Sequence, residues 1–171
     1  MKCYILRWNQ ERNNFTKERY SQMLEDLNQN GQDFDFSWEL EQWEEAEKGN
    51  MFILMQYNSD NDGIAIIGKF ASDPYEIKNP KTGKKIHMVD LHILSAIDRN
   101  PESKILVTFQ LEKEFPEIDW HGGIPGELID MFVADRLSIR IMEEMMARDM
   151  WDEWTFSEFF GVKQYYLKKY S

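Results

Sequence analysis

The chain has 171 residues, enough for one domain with a sizeable core, and its 31 acidic and 20 basic side chains give a formal charge of -11. That excess of acid argues against sequence-independent binding to nucleic acid, because such affinity comes from cationic side chains that displace counterions from phosphates. A single cysteine excludes an internal disulfide, and the lack of a secretion signal or a long apolar run leads us to expect a cytoplasmic protein that does not enter a membrane.

The first part of the chain predicts a strand followed by two helices. Residues 3–8 form a short apolar run typical of a strand, and residues 16–28 have the apolar spacing of a helix that begins with a threonine cap. Residues 38–48 also show helical spacing, with Ser37 as the cap and Gly49 as the stop. The first helix should pack its apolar face on the sheet, and the second has an opposite face that is nearly all glutamate.

The segment after Gly49 predicts a β-hairpin and is the most informative part of the chain. Residues 51–57 and 64–70 are apolar runs, and the polar residues between them provide turn chemistry. We therefore expect residues 51–56 to pair antiparallel with residues 64–70. A helix in either segment would contradict the prediction of a barrel.

The tip of this hairpin, NSDNDG at residues 58–63, copies the first half of a calcium-binding loop. The second half is missing, because Lys69 stands where the loop needs a bidentate glutamate and the flanking segments are strands. His87 and His92 are five residues apart on a predicted strand, so they point to opposite faces and do not easily share a metal. We expect no bound metal and no cofactor.

Lysines gather in the next predicted turn. The loop KNPKTGKK holds two turn-forming pairs, Asn79-Pro80 and Thr82-Gly83. It serves either as a solvated hairpin tip or as an arm that contacts phosphate groups, and the residue types are compatible with both functions. The lysines concerned are Lys78, Lys81, Lys84 and Lys85.

Two further strands and a short helix follow the lysine loop. Residues 86–93 have an apolar pattern that changes face near its middle, and residues 105–107 continue the strand pattern. Thr108 is placed to cap a short helix that ends before Pro116. A loop rich in turn residues, 117–126, then separates the sheet-forming part from the rest of the chain.

Beyond that loop the chain becomes strongly helical. Residues 127–154 predict one long helix with a wide apolar stripe, and Thr155 with Glu158 forms a capping box for a last short helix. The methionines of the stripe either fill the core or form an adaptable surface for a partner. We therefore expect a barrel domain at 1–126 and a helical extension at 127–171 that packs on it as one compact unit.

The sequence lacks the common catalytic motifs. It has no phosphate-binding Gly-rich loop, no nucleophile elbow and no zinc-binding HExxH helix. Cys3 lies in an apolar strand without a catalytic helper near it in sequence, so we expect a buried, inert thiol. The abundant carboxylates identify no acid–base pair, and we expect a protein that is not an enzyme.

Tryptophans provide the remaining candidate site. They stand at the end of the first strand, on the acidic second helix and in the Gly-rich loop. They either fill or cover the core, or they form a pocket in which a planar base stacks and an amide supplies hydrogen bonds. Trp120 distinguishes best between these two functions, because its Gly-rich loop makes it the tryptophan least needed for the core. The candidate ligand-binding residues are Trp8, Asn9, Trp38, Trp120 and His121.

The order of these features resembles the EVE domain, a member of the PUA-like class of β-barrels. EVE domains have an opening strand, a tryptophan before a helix that ends in Gly-Asp, a strand, a Gly-Ile-x-x-x-Gly partner strand and a Ser-x-Pro-Tyr stop. The matching positions, which span residues 4 to about 126, are residues 4–8, Trp38, Gly49-Asn50, Gly63-Ile64, Gly68, Ser72-Asp73-Pro74-Tyr75 and Met88-Val89-Asp90-Leu91. The opening Ile5-Leu6-Arg7-Trp8-Asn9 is also similar to that of small uncharacterised bacterial proteins that begin Ile-Leu-Arg-Trp-Asn-Pro.

The resemblance implies an α+β fold, a small, mostly antiparallel PUA-like β-barrel with covering helices, to which the C-terminal helical extension is added. It also implies non-catalytic binding of a nucleobase-containing ligand, either a small molecule or a modified base in DNA or RNA. The alternative is an acidic module for protein–protein interaction or self-association through residues 128–150. A nucleotide hydrolase comes third, since catalytic residues are missing. Lysines beside the tryptophans would favour the first function, and a broad exposed apolar face on residues 128–150 the second.

Overall fold

One curled sheet of seven strands and three helices make up the part of the chain that the computed structural model describes, residues 2–9, 15–57, 61–96, 103–150 and 152. In chain order the elements are β1 (Cys3–Asn9), α1 (Lys17–Asn30), β2 (Ser37–Glu39), β3 (Met51–Tyr57), β4 (Gly63–Phe70), β5 (Tyr75–Lys78), β6 (Lys85–Ala96), α2 (Thr108–Glu114), β7 (Glu127–Leu128) and α3 (Met131–Ala147). No helix in these ranges combines the length and the apolar character needed to cross a membrane.

The strands lie side by side in the order β2-β6-β4-β3-β1-β7, with β5 also paired to β6. β1 and β3 run parallel, in register from Cys3 with Met51 to Asn9 with Tyr57, as expected for strands joined by a long connection that includes α1. The other strand pairs of the described chain are antiparallel. The predicted α+β class with a mostly antiparallel sheet is confirmed.

The sheet curls so that its two edges approach each other. β6 pairs with β4 and β5 along one side and with β2 along the other. Directly after β2, two backbone N–H groups donate to the segment just before β7, Glu41 to Pro125 (2.5 Å) and Gln42 to Gly126 (3.2 Å). The Gln42 side chain also accepts a hydrogen bond from the Leu128 amide at 2.9 Å. These bonds bridge the gap between β2 and β7 and bring the sheet close to a closed barrel.

Two apolar clusters form, one on each face of the sheet, because successive residues of a strand point to opposite faces. In β1, Leu6 and Trp8 belong to the interior cluster, whereas Cys3 and Ile5 belong to the outer cluster. Strands β1, β2, β3, β4 and β6 all contribute to the interior cluster together with α1, so it fills the concave side of the curl. The outer cluster packs the convex side against α2 and α3.

The predicted hairpin and first helix are confirmed. β3 pairs antiparallel with β4, and the register shifts after Leu54, which leaves Ala65 as a bulge in this ladder. α1 begins after Thr16, whose side chain accepts a hydrogen bond from the Arg19 amide at 3.1 Å.

The expectation that the turn at residues 58–63 binds no calcium stays a prediction. Asn58 and Asp60 lie outside the described residues, and of the acids of the turn only Asp62 lies within them. In the described ranges, no three His, Cys, Asp or Glu side chains gather as metal ligands.

The predicted helix over residues 38–48 is wrong. Phe36, Trp38 and Leu40 are buried while the residues between them are more exposed, and this period of two is that of a strand. The strand is β2, in which Trp38 lies opposite Val89 of β6. The residues after β2 form turns that end at Gly49, whose φ of 92° is readily adopted only by glycine.

The C-terminal helix begins later than predicted. Residues 127–128 form β7, which pairs with β1, so the sheet extends past residue 126. α3 follows Asp130, whose carboxylate accepts hydrogen bonds from the amides of Phe132 (3.0 Å) and Val133 (3.3 Å). Its apolar stripe then packs into the outer cluster.

Smaller differences concern the segment before α2 and the end of the chain. The predicted strand at 105–107 is reduced to a single bridge between Val107 and Gly63. The N-cap of α2 is Val107 rather than Thr108, whose hydroxyl has no hydrogen-bond partner among the described residues. Strand β5 was not predicted, and the last short helix, predicted between its cap at Thr155 and Gly161, lies outside the described residues.

Candidate ligand-binding cleft

A cleft of about 580 Å³ opens between α1, the chain around β2 and the β5–β6 hairpin. That volume suits a ligand of the size of a nucleotide. Its apolar lining residues include Phe15, Met23, Phe34, Phe36, Trp38, Ile77, Ile86 and Met88. Its polar and charged lining residues are Arg19, Gln22, Asp26, Asp35, Ser37, Glu39, Asn79 and Lys81.

Three aromatic rings meet at this cleft. The ring centroids of Phe15, Phe36 and Trp38 lie between 5.5 and 6.0 Å from one another. Trp8 packs edge to face on Phe15 at 4.9 Å and donates its N–H to the Phe15 carbonyl at 2.7 Å. Because each ring is held by its neighbours, the aromatic wall of the cleft is already formed without a ligand.

The lysine loop is the turn of the β5–β6 hairpin. The Asn79 amide donates to the Lys84 carbonyl at 2.7 Å, and the Asn79 side chain accepts from the Lys81 amide at 2.9 Å. Lys81 lines the cleft, and the other three predicted lysines are exposed on the same hairpin. The structure thus brings the cationic loop beside the cleft that Trp38 lines. Contact of these lysines with phosphate stays a prediction.

Charges of both signs share the cleft. Arg19 and Lys81 are its cations, and three carboxylates line it with them. Burial, and after it the charge of Glu41, raises the pKa of the Glu39 carboxyl above its ordinary value. The mixture is unlike a purely cationic phosphate site, and it suits a ligand with hydrogen-bond donors as well as negative charge.

The three predicted tryptophans do not converge on this cleft. Trp38 lines it, and Trp8 touches it only through Phe15. Trp120 belongs to the outer cluster on the opposite face of the sheet, where it is 1% exposed and donates its N–H to the Phe115 carbonyl at 2.9 Å. The expectation that Trp120 is the tryptophan least needed for the core is therefore wrong, because its loop folds the ring inward.

Two other candidate residues lie away from the lining of the cleft. Asn9 ends β1 beside Tyr57, and its side chain is outside the described part of the chain. His121 is exposed in the loop that carries Trp120, where its Nε2 pairs with the Glu112 carboxylate and its ring lies 6.3 Å from that of Tyr57. A role of either residue in binding stays a prediction.

Arg7 anchors the loop that buries Trp120. Its guanidinium donates to the carbonyls of Asp119 (2.8 Å) and Ile124 (3.1 Å) and pairs with Glu127 at 2.8 Å. The contacts tie the Gly-rich loop to β1 and explain why a loop of this composition holds a buried ring. An arginine inside an otherwise apolar strand is the signal that points to such a role.

Sequence reasoning missed Phe15, Phe36 and Glu39 as cleft residues. The alternation of Phe34, Phe36 and Trp38 is typical of a strand and predicts that the three side chains share a face. It was overlooked because Trp38 was assigned to the predicted helix at 38–48. Phe15 precedes the cap of α1, the position of a hydrophobic staple, so its burial was predictable although its neighbours were not.

No family model matches the sequence, and no curated protein does. Solved structures share the fold. A hypothetical protein from Leishmania major has a TM-score of 0.58 at 11% identity, covering 85% of this chain and 97% of that chain. Human THYN1, in complex with DNA that contains 5-methylcytosine, has a TM-score of 0.53 at 13% identity, covering 84% and 98%. A Pseudomonas putida protein has a TM-score of 0.52 at 10% identity, covering 81% and 99%.

At these levels of identity, the likeness concerns the fold alone. Each comparison spans nearly the whole of the other chain, so the shared part is a complete domain. Together with the curled, mostly antiparallel sheet and its covering helices, the likeness shows that the chain has the predicted PUA-like α+β fold.

Proposed function

We propose that this chain is a non-catalytic binding protein of the EVE type, and that it holds a nucleobase-containing ligand in the cleft beside Trp38. The ligand is a modified base in DNA or RNA, or a free molecule that resembles one. The observation that carries the proposal is the aromatic wall of the cleft next to a lysine-bearing hairpin. THYN1, which shares the fold, was solved with DNA containing 5-methylcytosine, and this makes a base the first ligand to test.

The cleft offers a base one apolar wall on each side. Phe15, Phe36 and Trp38 are between 5 and 8% exposed, so a ligand would meet the rims of their rings. Ile77 and Ile86 of the hairpin are half-buried and line the cleft from the other side. A cleft of about 580 Å³ suits a single base or nucleotide and not a duplex, so the proposal requires a single-stranded or flipped-out base.

Binding to oligonucleotides that carry plain and modified bases, followed by fluorescence anisotropy at stated salt, tests the proposal. Ile86→Glu should weaken binding at least tenfold, because it places a charge in the apolar part of the cleft. The matched control is Phe109→Glu, the same charge on an exposed residue of α2, which should leave binding unchanged. If no oligonucleotide or nucleoside binds the wild type, the proposed function fails.

A second candidate function is binding of a protein partner or of a second copy through α3. Met131, Phe132 and Met146 are 55%, 77% and 52% exposed, which favours this function. Met142 and Met145 are instead buried in the outer cluster, so much of the methionine stripe fills core. Sedimentation of the wild type and of Phe132→Asp across a range of concentrations tests it. Self-association that the substitution abolishes would support it, and a monomer at every concentration would exclude self-association.

A further inference from the structure

Strand pairing fixes Glu39 at the cleft. It ends β2 opposite Met88 of β6, and residues paired across antiparallel strands present their side chains on the same face. Met88 lines the cleft as Glu39 does. The residues on either side of Glu39, Trp38 and Leu40, are buried in the interior cluster, and the Leu40 amide donates to the His87 carbonyl at 2.9 Å. The backbone that carries this carboxylate is therefore firmly held.

The Glu39 carboxylate lacks a neutralising partner among the described residues. No hydrogen bond or ion pair from those residues reaches its oxygens, although the side chain is half-buried. The charged residue that acts on it is Glu41, which is also negative and therefore repels it. A carboxylate that loses water without gaining a donor is unfavourable in the free protein. A ligand that brings N–H donors into the cleft would relieve this.

The chemistry of a carboxylate distinguishes among bases. When ionised it only accepts hydrogen bonds. The amino groups of cytosine, adenine and guanine are donors, and glutamate is a recognised acceptor for the cytosine N4 amino group. Thymine and uracil instead present one N–H between two carbonyl oxygens, and those oxygens repel a carboxylate.

We infer that Glu39 selects amino-bearing bases over thymine and uracil. The inference rests on the proposed function and adds the class of ligand to it. A methyl group on cytosine C5 leaves the N4 amino group in place, so this selection is independent of methylation.

The test uses single-stranded oligothymidylates of one length that differ only at the central base, which is cytosine, 5-methylcytosine, adenine, guanine or thymine. The wild type should bind at least one oligonucleotide with a central amino-bearing base about 5- to 150-fold more tightly than the all-thymine one. Glu39→Leu should abolish the difference, and Glu39→Gln should reduce it, because a neutral amide accepts more weakly. Glu41→Gln removes the same charge from a residue that does not line the cleft, and it should keep the difference.

The outcomes separate the inference from the proposed function. If the wild type binds every oligonucleotide equally, or if folded Glu39→Leu keeps the preference, the inference is overturned and the proposed function stands. If the wild type binds none of them, the same series of bases is measured in oligouridylates and as free nucleosides, and binding to none of these overturns both. Thermal denaturation reports whether each variant is folded, and Glu39→Gln, which keeps size and shape, decides the question should Glu39→Leu not fold.

Discussion

The amide of Gln56 is buried near the end of β3 without a hydrogen bond. The side chain is 0% exposed, and neither Nε2 nor Oε1 has a partner among the described residues. Alternation along β3 places it on the same face as Leu54, in the interior, and the parallel register puts it beside Trp8. Burying an amide without a partner costs about 1 to 3 kcal/mol.

Gln56→Met should therefore stabilise the fold by about 1 to 3 kcal/mol, because methionine has a similar length and no polar group to satisfy. Urea denaturation at neutral pH measures the change. Gln42→Met is the control, since the Gln42 oxygen does accept a hydrogen bond, and it should destabilise by about 1 kcal/mol. A loss of stability in Gln56→Met would mean that the amide has a partner outside the described residues or a buried water.

Trp120 and Trp43 provide a contrast between a core and a surface tryptophan. Trp120 is 1% exposed in the outer cluster, so Trp120→Ala should cost about 3 to 5 kcal/mol. Trp43 is 37% exposed and stacks on His87 at 3.7 Å, so Trp43→Ala should cost about 1 kcal/mol. Denaturation curves of both variants measure the difference. Equal costs would contradict the burial of Trp120 described above.

At the scale of elements, the approach of β2 to β7 depends on a glycine. Gly126 has a φ of 70°, and a Cβ at this position would lie 2.8 Å from the Leu40 Cα and closer still to its Cδ1. Gly83, in the turn of the β5–β6 hairpin, has a φ of 71° but open space, since the nearest atom, Lys78 Cε, is 3.8 Å away. A side chain would strain the backbone at both positions, but it would meet close neighbours only at Gly126.

Gly83→Ala should therefore cost about 1 kcal/mol from backbone strain alone. Gly126→Ala should cost about 1 to 3 kcal/mol more, because the added methyl group pushes β2 away from β7. Thermal denaturation of both variants measures the gap. If the two variants lose equal stability, the close approach of Gly126 to Leu40 does not constrain the fold.

The end of α3 is held by a carboxylate between two arginines. Burial opposes ionisation of Glu144, but hydrogen bonds from Arg140 (3.0 Å) and Arg148 (2.9 Å) outweigh it and lower its pKa. Arg148 also donates to the Lys104 carbonyl at 2.9 Å, which ties α3 to the segment before α2. A pKa lowered by folding adds stability above the unfolded value, and the stability is lost as the pH falls through the folded value.

Glu144→Gln should thus destabilise the fold by about 1 kcal/mol at pH 7, since the pairs are partly exposed. The difference from the wild type should shrink as the pH falls from the ordinary glutamate value of 4.5 through the lowered pKa of Glu144, where the folded carboxylate becomes protonated. Denaturation at several pH values measures it. Glu143→Gln is the control, and a difference that is constant with pH would contradict the role of the Glu144 charge.

Local signals decided which elements were predictable. The β3–β4 hairpin was found because its apolar runs and its turn are contiguous in sequence, and α1 because Thr16 is a strong cap. β2 was missed because Leu40, Trp43 and Ala46 copy helical spacing, while the pairing of Trp38 with Val89 connects residues 51 positions apart. The cleft was missed for the same reason. β6 was predicted as a strand over 86–93, but no local pattern specifies its pairing with β2, which brings Trp38 and Glu39 beside the β5–β6 hairpin.

On the scale of the whole molecule, charge is distributed unevenly. Burial, and after it the charges of Glu45 and Glu44, raises the pKa of Tyr4 to about 12, so the acidic turns after β2 act on the barrel. The predicted phosphate contacts are confined to the four lysines of the β5–β6 hairpin, in a chain of net charge -11. Contact with many phosphates would therefore bring the nucleic acid against a repulsive surface.

Affinity for a single-stranded oligonucleotide should consequently depend weakly on salt. If all four lysines contact phosphates, the logarithm of the binding constant should fall with the logarithm of salt concentration with a slope of roughly -3 at the steepest, because each contact contributes about -0.7. Titrations at several salt concentrations measure the slope. The double variant Lys84→Gln with Lys85→Gln should flatten it by about 1.4, whereas Lys113→Gln, on α2, should leave it unchanged. A wild-type slope of about -6 would mean that cations outside this hairpin bind the backbone, and base recognition in the cleft would then contribute a smaller part of the affinity than proposed.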